Sequence, residues 1–252
     1  MINLSHFIKR LRIRSFKRFV PFTTTYPGFI CKVVDKSSFL FMYEEIFDKE
    51  IYKFKSDTNS PFIIDCGSNI GLSVIYFKKL FPQAKILTFE PDPEIFKVLE
   101  ENLHSSDTGN DVERIQACLA STTGEVVFYP DQADGGTMLH QNVGTHKISV
   151  PSMELGPFMT RPVDFLKIDI EGAEHEVLES IKTKLPLVKN IFVEYHSFVD
   201  KTQCLDNILF LLKQAGFRYY IEHIGIRSKN PYSHRTVDHG MDLQINIYGY
   251  RV

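Results

Sequence analysis

The stretch Phe62-Ile-Ile-Asp-Cys-Gly-Ser-Asn-Ile-Gly71 decides the fold. Three apolar residues lead into an acidic one and then into a turn with glycines at 67 and 71. An apolar stretch follows to Leu80 and is stopped by Pro82. That order reads as a buried strand, a tight corner and a helix. Lys85-Ile-Leu-Thr-Phe89 is a second strand, ending at Glu90. Asp92-Pro93 then supplies an N-cap and a proline suited to the first helical position.

Working outward, the same rhythm continues. Strands are expected around 115–119, 126–129, 163–168, 191–193, 217–221 and 243–248, with helices over 173–181 and 205–215. Strand–helix alternation of this kind predicts an α/β, doubly wound domain with a parallel sheet covered by helices on both faces. We assign it residues 59–252. Residues 1–58 are expected to form an N-terminal helical cap segment, joined by the polar stretch Lys55 to Ser60. The first twenty residues read as a helix with Leu4, Ile8 and Leu11 at helical spacing. That helix either packs on its own domain, which we favour, or docks on a membrane surface or a protein partner.

The net charge of −2 is uneven. Residues 1–20 carry six basic side chains and no acidic one, so the remaining 23 basic residues face 31 acidic ones and the body stands at −8. A mildly acidic body argues against a nucleic-acid surface, which needs clustered positive charge. No apolar run is long enough to span a bilayer, and the N-terminus is too interrupted by charge to read as a signal peptide. Four scattered cysteines (Cys31, Cys66, Cys118, Cys204) show no metal-ligand spacing. A reducing, cytoplasmic setting without disulfides is expected.

In such sheets ligands bind beyond the C-terminal strand ends. A dinucleotide fingerprint would read G-x-G-x-x-G, whereas this sequence has D-x-G-x-x-x-G, with a carboxylate ahead of the first glycine. Asp65 suits a ligand carrying an ammonium group, as S-adenosylmethionine does. The glycines let the backbone come close to it. Taken alone the turn is also compatible with an ordinary strand–helix corner. Glu90 is placed to accept hydrogen bonds from both hydroxyls of a ribose. Alone it could equally be a helix-entry charge before Pro91.

Together, Phe62 to Gly71, Phe89-Glu-Pro-Asp-Pro93, Phe165-Leu-Lys-Ile-Asp-Ile-Glu-Gly-Ala-Glu174 and Val193-Glu-Tyr-His196 resemble the FkbM family of methyltransferases. The resemblance spans about residues 45 to 215, including Glu45-Ile-Phe47 and Tyr52. It implies a class I, Rossmann-like sheet of seven strands with the last antiparallel, and methyl transfer from S-adenosylmethionine to a hydroxyl of a small molecule such as a sugar or polyketide-type metabolite. Carried over by residue, it implies that Asp65, Gly67, Ser68, Asn69 and Gly71 hold the methionyl part. Glu90, with Pro91 beside it, would take the ribose, and Cys118 to Ala120 would approach the adenine. Asp169 would face the sulfonium and the acceptor.

A hydroxyl is a poor nucleophile at neutral pH, so a base that takes its proton assists transfer. Asp169, Glu171, Glu194 and His196 are the candidates, with His196 first because its ordinary pKa is about 6.5. His196 could instead be a structural histidine, and Glu171 with Gly172 could simply open the next helix. Glu174 and Glu176 read as that helix's solvated face. A divalent cation held by Asp169, Glu194 and His196 fits the ligand types, but no spacing requires it. Asp131 to Met159, with His140 and His146, and Gly225 to Met241, with His234, Arg235, Asp238 and His239, are expected to wall the acceptor pocket. The rival readings are a cofactor-binding module without catalysis and a nicotinamide-dependent oxidoreductase.

Overall fold

A computed structural model describes residues 4–130, 136–138 and 147–251, and the side chains among these from Ile8 onward. His140 and His146, and the Leu4 side chain, lie outside these. The strands are β1 (Phe22–Thr24), β2 (Cys31–Val33), β3 (Phe62–Cys66), β4 (Lys85–Phe89), β5 (Val112–Ile115), β6 (Cys118–Leu119), β7 (Gly124–Phe128), β8 (Ile148–Met153), β9 (Val163–Ile168), β10 (Val188–Phe198), β11 (Arg218–Ile224) and β12 (Met241–Tyr250). The helices are α1 (Leu4–Arg14), α2 (Lys36–Tyr43), α3 (Leu72–Leu80), α4 (Pro93–Ser105), α5 (Glu174–Ser180) and α6 (Leu205–Gln214).

Seven strands form the main sheet in the order β11-β12-β10-β9-β3-β4-β5. β5, β4, β3, β9 and β10 run parallel to one another, and β12 runs antiparallel to both β10 and β11. The order reverses between β3 and β9, so their C-terminal ends diverge from successive crossovers and leave a crevice there. All six residues of β9 are buried, as expected for a strand covered on both faces. The expected doubly wound sheet with an antiparallel last strand is present.

Several boundaries differ. The strand expected at 115–119 is two elements. β5 ends at Ile115 in the main sheet, while β6 joins β8 and β7 in a separate three-stranded sheet. β8 lies inside the stretch read as a loop. β10 is eleven residues long rather than three, because Glu194 and His196 share one face while Val193 and Tyr195 fill the other.

The N-terminal segment contains an antiparallel hairpin, β1–β2, besides its helices. Asp35 caps α2 by accepting from Ser37 and Ser38 N–H at 2.9 and 3.1 Å. α2 runs on into a π-helical turn, Glu44–Asp48. Tyr26, Phe39, Tyr43 and Tyr52 share one core with Ile63, Val74, Phe77 and Phe165. This explains why α3 is buried on nearly all sides: the sheet covers one face and the N-terminal segment another. Asn102 of α4 ties these parts together. Its Nδ2 donates to Lys32 O at 3.0 Å and Ile70 O at 2.9 Å, and its Oδ1 accepts from Lys32 N–H at 2.7 Å. No helix among the described residues is long and apolar enough to cross a membrane.

Candidate active site

A cleft lies at the C-terminal ends of β3, β4, β9 and β10. Its floor begins with the glycine turn. Gly67 has φ of +89°, and a Cβ there would stand 1.9 Å from the Asp169 carbonyl oxygen. Gly71 has φ of +91° and heads α3 against Leu99. Gly67, Ser68 and Asn69 line the cleft; Gly71 does not. The glycines close the turn against β9 and α4, and Gly67 also faces the cleft.

Asp65 also departs from expectation. It is fully buried and absent from the cleft wall. Its Oδ2 accepts from Ser73 Oγ at 2.6 Å, and Lys167 Nζ lies 3.5 Å from Oδ1. Burial raises its pKa, against the pull of Lys167 and Ser73. A carboxylate at a strand end can turn inward as readily as outward, and this one braces the start of α3. Asp169 is the carboxylate that reaches the cleft from this corner, with its Oδ2 3.1 Å from Lys167 Nζ.

Lys167 escaped the sequence reading. It is 2% exposed, donates to Gly67 O at 2.7 Å, and lies 5.8 Å from the Tyr52 ring centroid. Burial disfavours its charge, but Asp169, Tyr52 and Asp65 outweigh that and hold its pKa well above the lysine range. A lysine flanked by apolar residues in a central strand has few explanations besides an internal ion pair, and that was the available signal.

On the β4 side, Glu90 is buried and lines the cleft with Pro91, Asp92, Cys118 and Leu119. Its two oxygens accept the backbone N–H groups of Asn69 at 2.9 Å and Asp92 at 3.0 Å. Each oxygen keeps lone-pair capacity toward the cleft. Burial pushes the Glu90 pKa up to about 8 despite those bonds. Burial likewise pushes the Cys118 thiol up to about 12, so it serves as an apolar wall. Ala120 is buried outside the lining.

The β10 side is acidic. Asp169, Glu171 and Glu194 line the cleft, and His196 sits behind them at 4% exposure. His196 Nδ1 is 2.9 Å from Glu174 Oε1, and its Nε2 is 3.6 Å from Glu171 Oε2 and 3.5 Å from Glu194 Oε1. Burial alone would lower the imidazole pKa. Glu171 and Glu174 overcome it and hold the ring well above its ordinary value. The structure thus places His196, the residue expected to act as the base, behind the carboxylates and within reach of Glu171, Glu174 and Glu194 rather than on the cleft wall. Burial, followed by Asp169, raises the Glu194 pKa.

Glu174, read as solvated, is 1% exposed and accepts from Gly172 N–H at 2.8 Å as well as meeting His196. Glu176 does reach the surface, where it accepts from Ser121 N–H at 3.2 Å. Glu171 is not a helix start. Its φ of +55° and that of Gly172 at +103° turn the chain before α5, a strained conformation of the kind that clusters at sites. Asp169, Glu171 and His196 place ligand atoms within 4.8 Å of one another, a set whose donor types suit a cation.

Two walls were missed. Glu45, Ile46, Ile51 and Tyr52 of the N-terminal segment line the cleft, as do Gln244 and Asn246 of β12. Gln244 pairs across from His196 and donates to Glu194 Oε1 at 2.7 Å. Asn246, opposite Glu194, is 1% exposed, and its Oδ1 is buried without a hydrogen-bond partner among the described residues. By contrast His234, Arg235, Asp238 and His239 are in the β11–β12 hairpin loop outside the lining. Gly136 and Met138 do line it, from within the segment expected to cover the pocket.

This geometry can be set against known proteins. Methyltransferase sdnD of Sordaria araneosa is 31% identical over 197 residues, covering 64% of this chain and 76% of that one. 2-O-methyltransferase NoeI of Sinorhizobium fredii is 25% identical over 156 residues, covering 54% of this chain and 63% of that one. Among solved structures, a methyltransferase FkbM from Methylobacillus flagellatus superposes with a TM-score of 0.54 at 16% identity. That match covers 81% of this chain and 46% of the solved one, so this chain spans under half its length. The methyltransferase FkbM domain model matches residues 65–219, which hold the glycine turn, Glu90 and the acidic wall alike. With that much of the chain matched, it belongs to the FkbM family of S-adenosylmethionine-dependent methyltransferases.

Proposed function

We propose that the chain transfers the methyl group of S-adenosylmethionine to a hydroxyl of a small molecule, a sugar or polyketide-type metabolite. The observation that carries this reading is that one cleft joins two chemistries. Glu90 and the Asn69 turn stand at one end, and the carboxylates Asp169, Glu171 and Glu194 at the other. The first end fits the cofactor: Glu90 offers both oxygens to a ribose diol, beside the apolar surfaces of Pro91, Ile95 and Cys118. The cofactor supplies a methyl carbon already activated by a sulfonium.

The chain's own residues do the rest. Gly67, Ser68 and Asn69 orient the methionyl part, and Asp169 faces its positive charge. Glu194 takes the proton from the acceptor hydroxyl, since its raised pKa makes it a stronger base than an exposed glutamate. His196 and Gln244 hold Glu194 in place. Asn246 offers its free oxygen to a hydroxyl of the acceptor. Carboxylates suit polyhydroxylated acceptors because each accepts several hydrogen bonds. The name of NoeI, a 2-O-methyltransferase, supports oxygen as the methylated atom.

The test is transfer of labelled methyl from S-adenosylmethionine to a panel of sugars and polyketide alcohols. With an accepted substrate, Glu194→Gln is expected to lower kcat at least a hundredfold and leave cofactor affinity within about threefold. His196→Ala should lower kcat less and shift the acidic limb of the pH profile. Wild-type turnover in Glu194→Gln would remove the base assignment. Methyl transfer confined to amines or thiols would remove the hydroxyl.

A further inference from the structure

We propose that α1 and the segment after it form a docking surface for an anionic lipid bilayer. The residues that argue for it are Ile8, Leu11, Phe19 and Val20. They are 57, 48, 50 and 50% exposed, although each is a large apolar side chain.

The orientation of the helix is the first point. Residues three apart share a helical face, so Ile8 and Leu11 lie together. Ile13 is two positions beyond Leu11 and therefore on the opposite side. It is Ile13, at 2% exposure, that enters the core. The helix does pack on its own domain, as favoured, but through Ile13, while the Ile8 and Leu11 stripe points to water. Nor can the helix roll to hide it cheaply. Arg10 pairs with Glu44 and Asp48, Lys9 Nζ donates to Thr25 O at 3.3 Å, and Lys36 Nζ donates to the Arg14 carbonyl at 2.7 Å. These contacts fix the inward face, and the apolar residues stay outward.

Charge selects the occupant. The first twenty residues hold six basic side chains and no acidic one, on a body of −8. Arg12, Arg14 and Lys17 are exposed beside the apolar residues. Aliphatic side chains bordered by long cationic ones match a bilayer interface, where the apolar part enters the acyl boundary and the cations reach the phosphates. Anionic headgroups add an attraction that neutral ones lack. A second copy of the chain is a poor match, because symmetric pairing of two such helices would set the exposed Arg12, Arg14 and Lys17 against their own copies.

Co-sedimentation of the full chain with vesicles tests this, comparing phosphatidylcholine alone with phosphatidylcholine containing phosphatidylserine. Binding is expected only with the anionic vesicles and should weaken as salt rises. Ile8→Glu with Leu11→Glu should reduce partitioning at least tenfold, and Arg12→Glu with Lys17→Glu should do the same. Both variants should keep the wild-type affinity for S-adenosylmethionine, which checks the fold. Absence of binding to anionic vesicles would overturn the proposal. So would binding that Ile8→Glu and Leu11→Glu leave unchanged, since charge alone would then suffice. Self-association abolished by the same pair, with no vesicle binding, would also overturn it in favour of a protein contact.

Discussion

Glu90 shows what a buried carboxylate in the cleft wall costs the free protein. Its pKa of about 8 in the fold lies above the ordinary carboxylate range. The sign follows from linkage: a carboxyl with a raised folded pKa binds protons more tightly when folded, so its folded form loses stability as pH climbs from near 4.5 through about 8. Glu90→Gln is therefore expected to raise Tm by a few degrees at pH 9 in the absence of cofactor, with little gain at pH 4. Thermal melts at the two pH values decide it, and an equal or lower Tm at pH 9 would contradict the burial argument. That Glu90 would stand at the cleft was legible because it ends a strand before a helix. The roles of Asp65 and Glu174 were not. Sequence shows a carboxylate's position along the chain, but whether it faces a cleft or a buried hydroxyl depends on side-chain direction. His196 illustrates the same limit, since its distance to Glu174 joins two elements 22 residues apart.

At the scale of elements, the turn between β3 and α3 is held by close contacts on both sides. Gly67→Ala combines a positive φ with a Cβ driven into the Asp169 carbonyl oxygen. We expect a loss of at least about 3 kcal/mol in chemical denaturation. A near-neutral effect would mean that the β3 and β9 ends are farther apart than described. Asn102 makes the complementary point from α4. Replacing it with Ala leaves buried groups of Lys32 and Ile70 without partners, for a loss of about 3 kcal/mol. The strands β3 and β4 could be read from sequence because central parallel strands are nearly continuous apolar runs, and β9 because Val163, Phe165, Leu166 and Ile168 dominate it despite Asp164 and Lys167. β5, with its charged Glu113 and Arg114, carries no such run and was misplaced, while β10 was read only at its apolar Ile191-Phe-Val193 because polar residues line its cleft face.

For the whole molecule, the N-terminal segment is the part whose meaning changed most. As sequence it is a cap preceding the alternating units. In the structure Tyr52 packs at 4.9 Å from the Phe192 ring and 5.7 Å from Phe77, and residues 41 to 52 build one wall of the cleft. A chain reduced to residues 59–252 would expose the apolar side of α3 and open that wall. We expect it to be insoluble or unable to bind S-adenosylmethionine; a soluble fragment of undiminished affinity would show that the segment is dispensable. No local pattern announces such a wall, because the contacts run between segments far apart in sequence. The central claim is that this cleft is a methyl-donor site with Glu90 at its ribose end. Calorimetric titration with S-adenosylmethionine tests it most directly. The account predicts saturable binding by the wild-type chain and an affinity at least tenfold lower for Glu90→Ala. Equal affinity in the two proteins, or no binding by the wild type, would contradict it.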